Sequence, residues 1–181
     1  SIKFFSLEKA YNQVNKLITD VDGVLTDGTF LYSEQGKVYK KFGPHDSDGV
    51  KLLRSMNISV QAITADKRGF NITKSRLNDM NIELTFVSEQ DRLNWLRENC
   101  DLEKTAFVGD GLYDAPAMRH CAVSFAPLNA VAFAKQNATK ILEVCGGNGA
   151  LLEVALEILS LRDPKAYYEL QGGFMGGHSN Q

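Results

Sequence analysis

The chain has 181 residues, enough for one domain with a substantial core. It is 44% hydrophobic and 23% charged with a formal net charge of -2, an ordinary globular balance without the basic excess that binds nucleic acid non-specifically. Its apolar runs fall well short of the ~20 residues that cross a bilayer. No charged leader with an apolar stretch precedes the first strand, and a cytoplasmic protein with no nucleic-acid or membrane partner is expected. Cys100, Cys121 and Cys145 lack paired spacing, which predicts reduced thiols rather than a disulfide framework.

In chain order, Phe4, Phe5, Leu7, Ala10, Tyr11 and Val14 predict a helical lead over 1–15. Lys16-Leu17-Ile18-Thr19 reads as a short buried strand ending at Asp20. Thr29–Tyr32 and Lys37–Phe42 read as two strands joined across Ser33-Glu34-Gln35-Gly36, a hairpin within 28–42. Then the pattern alternates: helix 48–56, strand 59–63, helix 67–80, strand 83–87, helix 90–99, strand 105–108, helix 115–120, strand 122–125, helix 130–137, strand 140–142 and a last helix over 150–161. Short connections between alternating strands and helices predict an α/β fold. It is a Rossmann-like three-layer sandwich, a mostly parallel sheet with helices on both faces, over 16–162. The segment 163–181, with Gly172, Gly173, Gly176 and Gly177, reads as a flexible glycine-rich tail. Phe174 and Met175 are unusual there and suit a segment that orders against something.

Three strand ends carry the chemistry, where ligands bind in such sheets. Asp20 and Asp22 follow the first strand one residue apart. Carboxylates so placed repel, and a hard cation such as Mg²⁺ relieves them. A surface turn with two acids is the plain alternative for this pair alone. Thr105-Ala106-Phe107-Val108-Gly109-Asp110 is a second strand ending in an acid, and Asp114 follows as a helix begins. Asp110 suits a metal shell, and Asp114 suits orienting a bound water or a cationic side chain. Thr64 ends a third strand, as a phosphate-binding hydroxyl or simply a helix cap.

Asp20-Val21-Asp22-Gly23-Val24, Thr64 and Gly109-Asp110-Gly111-x-x-Asp114 resemble three of the four motifs of the haloacid dehalogenase superfamily. The resemblance is strongest to its branch without a large cap domain, typified by 3-deoxy-D-manno-octulosonate 8-phosphate phosphatase. Thr26-Asp27-Gly28 before the hairpin, Phe42 with Asp46 and Gly49, and Gly146-Gly147-x-Gly149-Ala150 also belong to it. It implies a Mg²⁺-dependent phosphomonoester hydrolase of lipopolysaccharide biosynthesis acting on a phosphorylated keto-sugar acid of eight or nine carbons. Asp20 would attack phosphorus to form an aspartyl-phosphate, and Asp22 would serve as acid and then base. Mg²⁺ would sit on Asp20, the Asp22 backbone carbonyl and Asp110, with Thr64 on the phosphoryl group. It further implies a homotetramer with hairpin and tail at subunit interfaces.

The fourth motif, usually lysine, falls at Arg92, which keeps the charge and grips phosphate bidentately. Substrate-reading positions depart further. Gly43-Pro44-His45-Asp46-Ser47 replaces a segment that tends to carry arginine, and Ala65-Asp66-Lys67-Arg68 replaces Gly-Arg. Asp22, Lys51, Arg68, Arg76 and Arg92 remain as substrate ligands beside Gly43–Ser47 and Ala65. These departures leave open a phosphatase for another small phosphorylated metabolite, or a weakly catalytic binding homologue. A receiver domain is the structural rival, and the hairpin and the Asp110 box argue against it.

Overall fold

The computed structural model describes residues 2–172, with side chains from Leu7 onward. Phe174, Met175 and the rest of the tail beyond 172 lie outside them.

The sheet is built outward from β1 (Lys16–Asp20), whose Leu17, Ile18 and Thr19 are wholly buried. Burying an aliphatic side chain of this size contributes about 1.5–3 kcal/mol, so a run this apolar is driven to the centre of the sheet. β4 (Ser59–Thr64) pairs with one edge of β1 and β6 (Thr105–Val108) with the other, both parallel. β5 (Glu83–Phe86) lies outside β4, and β7 (Val123–Ala126) and β8 (Lys140–Ile141) lie outside β6. The six-stranded order is therefore β5-β4-β1-β6-β7-β8. The chain leaves β1 toward one edge and later returns to fill the other, so β1 is the switch point of strand order. A crevice opens there beyond the carboxyl ends.

Alternate side chains along the strands enter two cores. Leu17, Ala62, Ala106 and Val108 pack with Tyr11 and Val14 near α1 (Ile2–Gln13). The same core takes in Val50 and Leu53 of α2 (His45–Ser55), Leu77 of α3 (Phe70–Asp79) and Leu151 and Val154 of α7 (Ala150–Arg162). Ile18, Ile63 and Phe107 face Leu96 of α4 (Arg92–Asn99), Ala117 and Met118 of α5 (Ala115–His120) and Ala134 of α6 (Ala132–Asn137). This is the three-layer α/β sandwich the alternation predicts.

β2 (Thr26–Ser33) and β3 (Gly36–Phe42) form a separate antiparallel hairpin. Only Gly43 and Pro44 separate β3 from α2, so no cap domain is inserted there. Several boundaries differ from the sequence reading by one to three residues, and two differences matter for the site and the tail. α2 begins at His45 rather than 48, entering from Pro44 with Asp46 and Asp48 in its first turn, where acids suit the helix dipole. The segment 163–170 is not tail: Pro164–Leu170 forms α8, whose start is capped by Asp163 accepting the Ala166 N–H at 3.0 Å. Pro at the first helical position and Asp before it are the reason. Among the described residues no helix is long and apolar enough to cross a membrane.

Candidate active site

Asp20 closes β1 with its carboxylate nearly buried, and its Oδ1 accepts the Val21 N–H at 2.8 Å. Arg92, the first residue of α4, reaches under it. The guanidinium lies 3.4 Å from each Asp20 carboxylate oxygen and donates a short hydrogen bond to Asp114 Oδ1. Asp114 is fully buried, and its other oxygen accepts the N–H groups of Asp110 and Gly111 at 3.0 Å each. Asp114 thus accepts three hydrogen bonds that fix the turn after β6 and hold Arg92 beside Asp20. Burial disfavours the Arg92 charge, but Asp20 and Asp114 outweigh it and hold the guanidinium protonated.

Asp110 completes the group. A Cβ on Gly23 would lie 1.8 Å from Asp110 Oδ2, and Gly23 has φ +87°. Only glycine lets the backbone after Asp22 pass this close to the carboxylate. Ligand oxygens of Asp20, Asp110 and Asp114 lie within 4.8 Å of one another. Burial, then Asp114, then Asp110 push the Asp20 carboxyl well above the usual range against the pull of Arg92. Burial and Asp114 likewise lift Asp110 to about 6. Acids so crowded and desolvated are the environment a divalent cation relieves. The donor set, all oxygen with Asp114 already committed, fits a hard ion held by Asp20 and Asp110.

Asp22 does not join this cluster. Its carboxylate lies 2.8 Å from Lys40 Nζ, a side chain on β3 with no exposed surface. Thr64, at the end of β4, is buried, and its hydroxyl accepts the Asp66 N–H at 3.1 Å. Asp66 takes both Lys37 (2.7 Å) and Lys40 (2.8 Å). Burial raises its pKa, but bonds from Lys37, Lys40 and the Gly69 amide prevail and lower it to about 2. Lys40 is the site residue that sequence reasoning misses. A lysine on a hairpin strand reads as solvent-facing edge charge. The usable signal was Asp66, an acid two residues after the strand-end Thr64 that needs a cation.

The substrate-reading positions scatter. Asp46 is buried, and its Oδ1 accepts the Leu151 N–H at the start of α7 at 2.9 Å, a structural link between helices. Gly43 packs against the Gly147 carbonyl, and its own carbonyl accepts from Arg76 at 3.3 Å. Pro44 is exposed at the entry to α2. His45 lines a cavity of about 390 Å³ with Lys140, Glu153 and Tyr167. Ser47 and Lys51 line a cleft of about 120 Å³ with Arg54 and Asp79. Neither cavity is lined by Asp20, Asp22, Thr64, Arg92 or Asp110. His45 and Ser47 thus line different cavities, and Asp46 is committed to the start of α7. The run they share is the first turn of a helix, which fans its side chains around the axis. Ala65 is half-buried beside Thr64, and Arg68 is exposed.

A buried aspartate at the switch point, with a cationic clamp and a second acid for a metal, defines an aspartate-based phosphoryl-transfer site. No family model matches the chain. It is 30% identical over 174 residues to 3-deoxy-D-manno-octulosonate 8-phosphate phosphatase of Haemophilus influenzae, covering 93% of this chain and 96% of that protein. It is 32% identical to the same enzyme of Yersinia pestis over 87% of this chain and 85% of that one. The cobalt-bound structure of the Haemophilus influenzae phosphatase superposes with TM-score 0.77 at 30% identity, covering 92% of this chain and 99% of that chain. The chain belongs to the 3-deoxy-D-manno-octulosonate 8-phosphate phosphatase family of the haloacid dehalogenase superfamily.

Proposed function

We propose that the protein hydrolyses the phosphomonoester of a keto-sugar acid, 3-deoxy-D-manno-octulosonate 8-phosphate or a related eight- or nine-carbon compound, with Mg²⁺ and through an aspartyl-phosphate at Asp20. The convergence of Asp20, Arg92, Asp110 and Asp114 at the switch point carries this reading. The names of the relatives supply the substrate class.

Asp20 Oδ attacks phosphorus as the ester P–O bond breaks, and Asp22 gives its proton to the departing sugar oxygen. Asp22, now a carboxylate, takes a proton from the water that attacks the same phosphorus and frees Asp20. Arg92, held between Asp20 and Asp114, offers its remaining N–H groups to the phosphoryl oxygens. The Thr64 hydroxyl and the Ala65 amide offer further donors. Asp20, Asp110 and the Asp22 backbone carbonyl would hold the Mg²⁺, whose charge lets a carboxylate approach an anionic phosphate.

The hairpin presents Leu31 (63% exposed), Tyr32 (60%) and Tyr39 (65%), a patch suited to burial against another subunit. We read it as the contact face of a cytoplasmic homotetramer, with the tail at a neighbouring site. Turnover of 4-nitrophenyl phosphate, measured after chelation and again with Mg²⁺ restored, tests the chemistry; no turnover with metal present would sink it. A screen of phosphorylated sugar acids against hexose phosphates tests the substrate class. Hexose phosphates turned over as well as sugar acids would favour a different small metabolite.

A further inference from the structure

Lys40 is buried beside Asp22 and has no role in the chemistry above. It stands on β3 opposite Phe30, and its side chain has no exposed surface. Its Nζ lies 2.8 Å from Asp22 Oδ1, 2.8 Å from Asp66 Oδ2 and 2.9 Å from the Thr73 hydroxyl. The Thr73 hydroxyl accepts its hydrogen bond, and the two carboxylates meet it as close ion pairs, with Asp22 Oδ1 lacking a hydrogen-bond partner among the described residues. The seat is built for it: a Cβ on Gly69 would lie 2.6 Å from Lys40 Cε and 2.3 Å from Asp66 Oδ2. Lys37 braces the same carboxylate at 2.7 Å and lies 3.6 Å from the centre of the Phe30 ring. Lys37 and Lys40 both pair with Asp66, which offsets its partly buried charge.

We propose that Lys40 is a positioning residue that holds the Asp22 carboxylate for proton transfer to the leaving oxygen. The inference rests on the phosphatase reading above. Asp20, Asp110 and Asp114 gather as one group, and a cation there would attract any free carboxylate nearby. Lys40 draws Asp22 to the hairpin side instead. By meeting Oδ1, Lys40 fixes the direction in which the Asp22 carboxyl group faces the leaving oxygen. The hairpin therefore reaches the catalytic loop through Lys40 as well as through Thr26, whose hydroxyl accepts the Gly23 N–H at 3.1 Å, and Asp66 anchors Lys40 there.

The test compares two leaving groups on the metal-loaded enzyme. 4-Nitrophenolate departs readily without a proton, whereas phenolate, with a pKa of ~10, gains from an acid. General acid catalysis contributes ~10²–10⁴-fold. Lys40→Met should therefore lower kcat/KM for phenyl phosphate about tenfold more than for 4-nitrophenyl phosphate. Lys40→Arg keeps the charge but has a planar fork that does not match three converging oxygens, and it should give an intermediate ratio. It also serves if Lys40→Met does not fold, as judged by circular dichroism. Equal losses on both substrates in the folded variants, or no loss, would overturn the proposal while leaving the phosphatase reading intact. Absence of wild-type turnover on both substrates would overturn the two together.

Discussion

Replacing Asp46 with asparagine should stabilise the protein at neutral pH. Asp46 is 2% exposed, and its Oδ2 has no hydrogen-bond partner among the described residues. Burial, opposed by the Leu151 amide and the charges of Arg76 and His45, pushes its carboxyl up from 3.8 to about 6. The folded state thus binds this proton more tightly than the unfolded chain. The linked stability is fully present below 3.8 and is lost as the pH climbs through about 6. A shift of about two units at ~1.36 kcal/mol each makes the cost of the charge about 3 kcal/mol at pH 8. Asparagine keeps an oxygen for Leu151 and removes the charge, while its unpartnered amide N–H₂ costs about 1 kcal/mol. The net gain of about 2 kcal/mol corresponds to a Tm rise of about 4–8 °C in a domain of this size. Near pH 5 the gain should fall below about 1 kcal/mol, because Asp46 is then largely protonated in the folded wild type. Thermal melts of both proteins between pH 5 and 8 check this. A variant no more stable than the parent at pH 8, or a gain independent of pH, would refute the reasoning.

Arg92→Ala should lower kcat/KM by about 10²-fold or more through loss of the phosphoryl clamp. It should also destabilise the fold by about 3–5 kcal/mol, because Asp20 and Asp114 lose their buried counter-charge; steady-state kinetics and chemical denaturation read the two effects separately. Removing divalent cations should abolish turnover, and restoring Mg²⁺ should raise Tm, by about 2.7 kcal/mol of stability at a hundred times Kd. Leu31→Lys with Tyr39→Lys should reduce the oligomer seen by sedimentation without unfolding the subunit. Deleting residues 171–181 should change KM or turnover if the tail reaches a neighbouring site.

The alternation of apolar runs and helical stripes was enough to place Asp20, Thr64 and Asp110 at strand ends, because near-continuous apolar runs mark strands buried on both faces and these polar residues come where the runs stop. β1 as the switch point came only with the strand order of the folded sheet. Lys40 and Asp66 were not legible as a pair: they lie on different elements, and a lysine carries no burial signal of its own. Asp46 read as a substrate ligand from its motif, and its bond to the amide of Leu151, 105 residues away, was not legible because only tertiary packing brings the two together. Helix α8 was hidden because the glycines that follow dominate the composition of the last segment, although Asp163-Pro164 marks a helix start.

The role of Asp20 is tested most directly by quenching the enzyme during turnover with Mg²⁺ and substrate, reducing it with borohydride, and mapping its peptides by mass spectrometry. An acyl phosphate at position 20 is reduced to an alcohol, so the peptide spanning Lys16–Val24 should carry that mass change in the wild type, and Asp20→Asn should be both unmodified and inactive. Modification at another carboxylate, or substantial turnover by Asp20→Asn, would contradict Asp20 as the nucleophile.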